Sequence, residues 1–265
     1  MSEQEIKKNI QQAIETFANA DAATASEKLL NTLGYKSARK ANVNLDSLKK
    51  RASEKNLSDV SYALWDEWKN AKLIFQYSDD EVKKQSSLFE VGYNDTMQSY
   101  LFFAVELTGK EYSRNQISNI TRFINRLYDI PVMLFFRYGN LLTVSVINRR
   151  LHKKDTSKDV LEKVTQIKDI NIASAHRAHI EILFDLSFDE LKEKHDFINF
   201  EQLHNAWQKA LDTKLLNKKF FEELSNWYFW AQGYVEFPND KKLEEEKNIQ
   251  INLIRLIFIQ PFTIR

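Results

Sequence analysis

Between residues 100 and 148 the hydrophobic pattern changes period twice. YLFFAVEL (100–107) is a short run of aromatic and β-branched residues. From Ser113 to Tyr128 the apolar residues Ile117, Ile120, Phe123, Ile124 and Leu127 recur at helical spacing, and PVMLFFRY (131–138) and LLTVSVIN (141–148) return to strand composition. Strand, helix, strand implies two parallel strands joined by a crossover. Gly139-Asn140 then turns the chain back as a hairpin. The expected fold is α/β, a central mixed sheet with a strand-helix-strand crossover, its strands buried on both faces.

The flanks read as helix. Residues 1–77 are expected to form a helical N-terminal part. MSEQEIKKNIQQAIETF aligns Ile6, Ile10, Ile14 and Phe17, LNTLGY ends a helix with Gly34 as a left-handed cap, and ALWDEWKNAKLIF continues the helical pattern. Residues 78–186 hold the α/β core, and 187–265 form a helical connector in which Leu203, Ala206, Trp207, Ala210 and Leu211 share a stripe. Ser78 with Glu81, Ser113 with Gln116 and Ser187 with Glu190 have capping-box spacing. AHRAHIEIL is expected to be a strand, which would put His176 and His179 on opposite sides and unfit them to share a metal. WYFW (227–230), aromatic on every side, is expected to be a buried helix, and His204 a packed core histidine.

Composition excludes several chemistries. The five glycines, Gly34, Gly92, Gly109, Gly139 and Gly233, are too scattered for GxGxxG or GxxxxGK, so neither phosphate-binding loop is available. Without cysteine there is no disulfide, thiolate metal site or cysteine nucleophile, in keeping with a reducing cytoplasm. The N-terminus lacks the apolar block of a signal peptide. INLIRLIFIQPFTIR is too short and too polar to span a bilayer, so no membrane partner is expected.

Charge is strongly local. From Ser113 to Lys154 the chain carries Arg114, Arg122, Arg126, Arg137, Arg149, Arg150, Lys153 and Lys154 against Asp129 alone, a net +7 in a protein of net +1. The helical apolar face leaves Arg114, Arg122 and Arg126 on the opposite side. With Arg149, Arg150, Lys153 and Lys154 they are candidate contacts to the phosphates of double-stranded DNA, since guanidinium forks match phosphate oxygens. The competing expectation is that acidic stretches such as EILFDLSFDELKEKHD neutralise the block internally.

Glu106, at the end of the first apolar run, raises the question of catalysis. Metal-dependent phosphodiester cleavage uses paired carboxylates for Mg²⁺ and a lysine to stabilise charge. Asp95 and Glu106 are the candidate metal ligands. A Glu-x-Lys pattern would need lysine where Thr108 stands, leaving Lys110 to reach back. The plainer expectation is that Glu106 pairs with Arg114 or caps the next helix.

The phrases SYLFFAVELTGKEYSRNQISNITRFINRLYDIPVMLFFRYGNLLTVSVINRRLHKKD, HRAHIEILFDLSFDEL and FFEELSNWYFWA resemble the N-terminal region of fused bacterial restriction-modification proteins, the type IIG class. The likeness runs from about Leu29 to Phe258. It implies a nuclease-like core ahead of an adenine-specific DNA methyltransferase domain. It also implies two partners, DNA and that domain, with LIRLIFIQPFTIR read as a helix leading toward it. The methyltransferase's Gly-rich cofactor loop and Asn-Pro-Pro-Tyr/Phe tetrapeptide are absent, so neither methylation nor S-adenosylmethionine binding is expected of this chain. The alternative is a non-catalytic module that docks onto the methyltransferase.

Overall fold

The computed structural model describes residues 2–85, 99–128, 130–152, 155–195, 197, 200–211, 225–230 and 234, with the backbone alone for 148–152, 155–163 and 201. Residues 1–211 form one compact unit and 212–265 a second. In the first, α1 (Glu3–Glu15), α2 (Ala22–Thr32) and α3 (Leu45–Glu54) precede β1 (Trp68–Ser78) and α4 (Asp79–Gln85). Then follow β2 (Ser99–Leu107), α5 (Arg114–Tyr128), β3 (Val132–Tyr138), β4 (Leu141–His152), β5 (Asp155–Asn171), α6 (Arg177–Asp185), α7 (Phe188–Lys194) and α8 (Phe200–Ala210).

The five strands lie in the order β1-β2-β3-β4-β5. β2 and β3 are parallel, with Glu106 level with Arg137, and the other pairs are antiparallel. The protein is therefore α/β with a mixed sheet, and the single parallel pair among the described strands is the one joined by the α5 crossover. Side-chain alternation along β2 builds two cores. Leu101, Phe103, Val105 and Leu107 pack with Ile117, Ile120, Phe123, Ile124 and Leu127 of α5 and with Leu48 and Ala52 of α3. Tyr100 and Phe102 face the other way, where Trp207 of α8 lies 4.5 and 6.0 Å from their ring centroids.

Local signals explain most ends. Ser113 and Gln116 complete a reciprocal capping box at α5, at 2.8 and 3.2 Å. Gly34, at φ +91, closes α2, and the Tyr35 N–H reaches back to the Leu30 carbonyl at 2.9 Å. Gly139, at φ +52, supplies the left-handed backbone that the β3–β4 turn needs.

Four expectations require correction. ALWDEWKNAKLIF is not a helix: from Trp68 it is β1, antiparallel to β2. AHRAHIEIL is not a strand: the His176 ring accepts the Ala178 N–H at 3.2 Å and starts α6. Ser187 immediately precedes α7 but makes no capping bond; its hydroxyl donates to the Phe184 carbonyl at 2.7 Å. In the second unit, Trp227, Phe229 and Trp230 of the 225–230 helical turn are exposed by 39, 67 and 59%, not buried. Among the described residues no helix is long and apolar enough to cross a membrane.

Candidate nucleic-acid interface

Glu106 sits at the carboxyl end of β2 with little of its side chain exposed. Neither expected bond forms. Its Oε1 accepts from the Lys69 ammonium at 2.8 Å, and Lys69 comes from β1, the strand that had been read as helix. Lysine thus reaches Glu106 across the sheet rather than along the strand. Thr108 serves a different carboxylate. Its hydroxyl and that of Tyr112 both donate to Glu67 at 2.8 Å, holding Glu67 below the usual carboxylate range. Lys110 is exposed and makes no bond to Glu106, while Asp95 lies outside the described residues. Among the described residues no three His, Asp or Glu side chains come together as a metal-binding group. Glu106 therefore has an ammonium on Oε1, and its expected companion carboxylate, Asp95, is outside the described residues.

The basic block is split by the topology. α5 begins beyond the carboxyl end of β2 and ends at the start of β3, so Arg114 and Arg126 lie about 18 Å apart along its axis, at 1.5 Å per residue. Arg114 belongs to the Glu106 end of the sheet. Arg122 and Arg126 belong to the opposite end, toward which β4 runs antiparallel to β3. The last registered pair of β3 with β4 is Met133 with Val146. β4 and β5 continue past it as a two-stranded ribbon, with Arg149 opposite Leu161 and Arg150 opposite Val160. Arg149 stands seven residues beyond Leu142, the partner of Arg137, which places it roughly 23 Å along the strand from the Glu106 level. Lys153 and Lys154 fall outside the described residues.

Arg114, Arg122 and Arg126 have no carboxylate partner among the described residues. Arg122 donates to Asn119 Oδ1 at 3.3 Å. Arg126 donates to the Tyr62 hydroxyl and lies 5.7 Å from that ring's centroid. Three of the acids expected to neutralise them are engaged elsewhere: Glu181 with Lys7 and Arg177, and Asp185 and Glu190 with Lys194. Arg137 is not part of the surface, since it donates to the Ala20 carbonyl at 2.9 Å on the α1–α2 side.

The sequence reading missed cations that α3 brings to the same end. Arg51 Nε donates to the Leu127 carbonyl at 2.6 Å, and its guanidinium lies 4.5 Å from the Tyr128 ring centroid. Lys55 donates to the Arg126 carbonyl at 3.1 Å. Both satisfy carbonyls that the end of α5 leaves open. LKKRASEK carried the charge, but nothing local said that α3 would meet the end of α5. Comparison with protein-family profiles, with curated proteins and with solved structures gave no match in any of the three.

Proposed function

We propose that this chain is a DNA-backbone-engaging module, nuclease-like in architecture, of the kind that precedes the methyltransferase in fused type IIG restriction-modification enzymes, and that it works in the cytoplasm. The observation that carries the reading is the second half of α5, where Arg122 and Arg126 lack carboxylate partners among the described residues, at the end of the sheet toward which β4 runs with Arg149 and Arg150. Uncompensated guanidinium groups on a rigid helix gain from releasing the counterions of a polyanion. A two-stranded ribbon also has dimensions that fit the major groove. The reading claims binding alone.

Fluorescence anisotropy of the whole protein with a duplex of about 25 base pairs tests it. Arg122→Ala combined with Arg126→Ala is expected to weaken binding at least about tenfold at low salt. Unchanged affinity in a folded variant rejects the reading.

The docking-module reading keeps one observation of its own, in the second unit: Trp227, Phe229, Trp230 and Tyr234 are exposed aromatics, the residue types enriched at protein interfaces. Loss of duplex binding in the parent protein, together with self-association or capture of a methyltransferase domain, favours it.

A further inference from the structure

We infer that the polyanion surface extends from α5 onto α3, through Lys49, Lys50 and Arg51, and that it selects duplex over single-stranded nucleic acid. This rests on the DNA-binding reading and narrows it to a substrate class.

Three observations converge. The first is placement. Lys55 and Arg51 are bonded to the carbonyls of Arg126 and Leu127, which fixes α3 against the end of α5 where Arg122 and Arg126 stand. Lys49 and Lys50 are exposed on α3, pointing away from its buried Leu48 and Ala52. The second is charge. Residues 45–55 carry Lys49, Lys50, Arg51 and Lys55 against Asp46 and Glu54, a net +2, to which Arg122 and Arg126 add two more. The negative pole of α5 opposes this with about half a charge and Asp129, next after α5 in the sequence, with one more, so the cations still win. Arg51, like Arg122 and Arg126, has no carboxylate partner among the described residues.

The third observation concerns the rings. Single strands are bound without sequence preference by aromatic faces on which bases stack. Here Tyr62 and Tyr128 are covered by the protein's own guanidinium groups, Arg126 at 5.7 Å and Arg51 at 4.5 Å from the ring centroids. Trp65 packs against Trp68 and Phe123, with centroids at 4.8 and 5.1 Å. The aromatic residues at this corner orient cations instead of receiving bases. Cations held at this corner read the regular phosphate spacing of a duplex, and the described rings here are already engaged by the protein's own side chains.

The test uses the whole protein and three probes: a duplex of about 25 base pairs, one of its strands alone, and polyglutamate of matched charge. Lys49→Ala with Lys50→Ala touches exposed side chains and is expected to keep the fold. It should weaken duplex binding roughly tenfold at about 0.1 M salt and reduce the salt slope by about 2. The parent should prefer the duplex to its single strand by at least about tenfold. Unchanged affinity and slope in the variant, while Arg122→Ala with Arg126→Ala still weakens binding, would overturn the extension onto α3 and leave the parent reading intact. Equal or tighter binding of the single strand, or displacement of the duplex by polyglutamate at matched charge, would overturn the duplex preference. Absence of duplex binding in the parent protein would reject both readings.

Discussion

Raising monovalent salt from about 50 to about 200 mM is expected to weaken duplex binding on the order of 500-fold. The figure follows from about five phosphate contacts, each contributing about −0.9 to the slope of log K against log salt. On the proposed reading Arg122, Arg126, Arg149 and Arg150 would supply four of them, and Lys49 or Lys50 of α3 the fifth. The dependence is steep because the gain is entropic: each neutralised phosphate frees a condensed counterion, and added salt removes the advantage. Arg114 is not counted, as it sits at the other end of α5. A titration series at five salt concentrations measures the slope. A value shallower than about −2 would mean that the arginines do not act together.

The second large effect is on stability and comes from the other core. His204 of α8 is almost fully buried, bonded through Nδ1 to the Tyr100 hydroxyl and stacked on that ring with centroids 5.6 Å apart. Burial pushes its pKa down from 6.5 to about 4. Above pH 6.5 both the folded and unfolded chains hold it neutral, and no stability is lost. As pH falls from about 6.5 to about 4 the unfolded chain takes up a proton that the folded chain refuses. Stability therefore drops by about 1.4 kcal/mol per pH unit, about 3 kcal/mol in all. Below about pH 4 this histidine costs nothing further. Urea melts from pH 7.5 to 4 on the parent and on His204→Gln measure the difference. The variant is expected to lose most of the slope in that window, and parallel curves for the two proteins would show that His204 does not titrate as a buried group.

What could be read from the sequence followed from local periodicity. α5 was legible because its apolar residues repeat at helical spacing behind Ser113, and β2, β3 and the β3–β4 hairpin because they are short, nearly unbroken apolar runs, β3 and β4 being joined at Gly139. β1 was misread for a physical reason. Its pairing with β2 shifts register between Trp68 and Asn70 and again between Leu73 and Phe75, so Trp68 and Ala71 are buried three apart and Leu73, Ile74 and Phe75 in succession. Bulges erase the period of two, and the spacing that remains imitates a helix. β5 was not marked at all. Among the described strands it pairs only with β4, and its sequence is mostly polar and charged. In α6 the β-branched Ile180 and Ile182 suggested strand, yet Ile180, Leu183 and Phe184 are buried at helical spacing, a signal that was present.

The candidate site was less legible than the fold, because its decisive contacts are non-local. That Glu106 meets Lys69 depends on the register of β1 against β2. That the basic block divides between two ends of the sheet depends on the direction of the crossover, about 18 Å of helix separating Arg114 from Arg126. Charge counting along the chain found the arginines but could not show which of them stand together, nor that α3 would join them.

Hydrogen exchange of the whole protein with and without saturating duplex places the contact surface without altering a residue. The account expects slowed exchange in residues 45–55, in the second half of 114–128 and in the 141–171 hairpin, with α1 and α2 unchanged. Slowed exchange confined to α1 and α2, or no change anywhere at saturation, would contradict it.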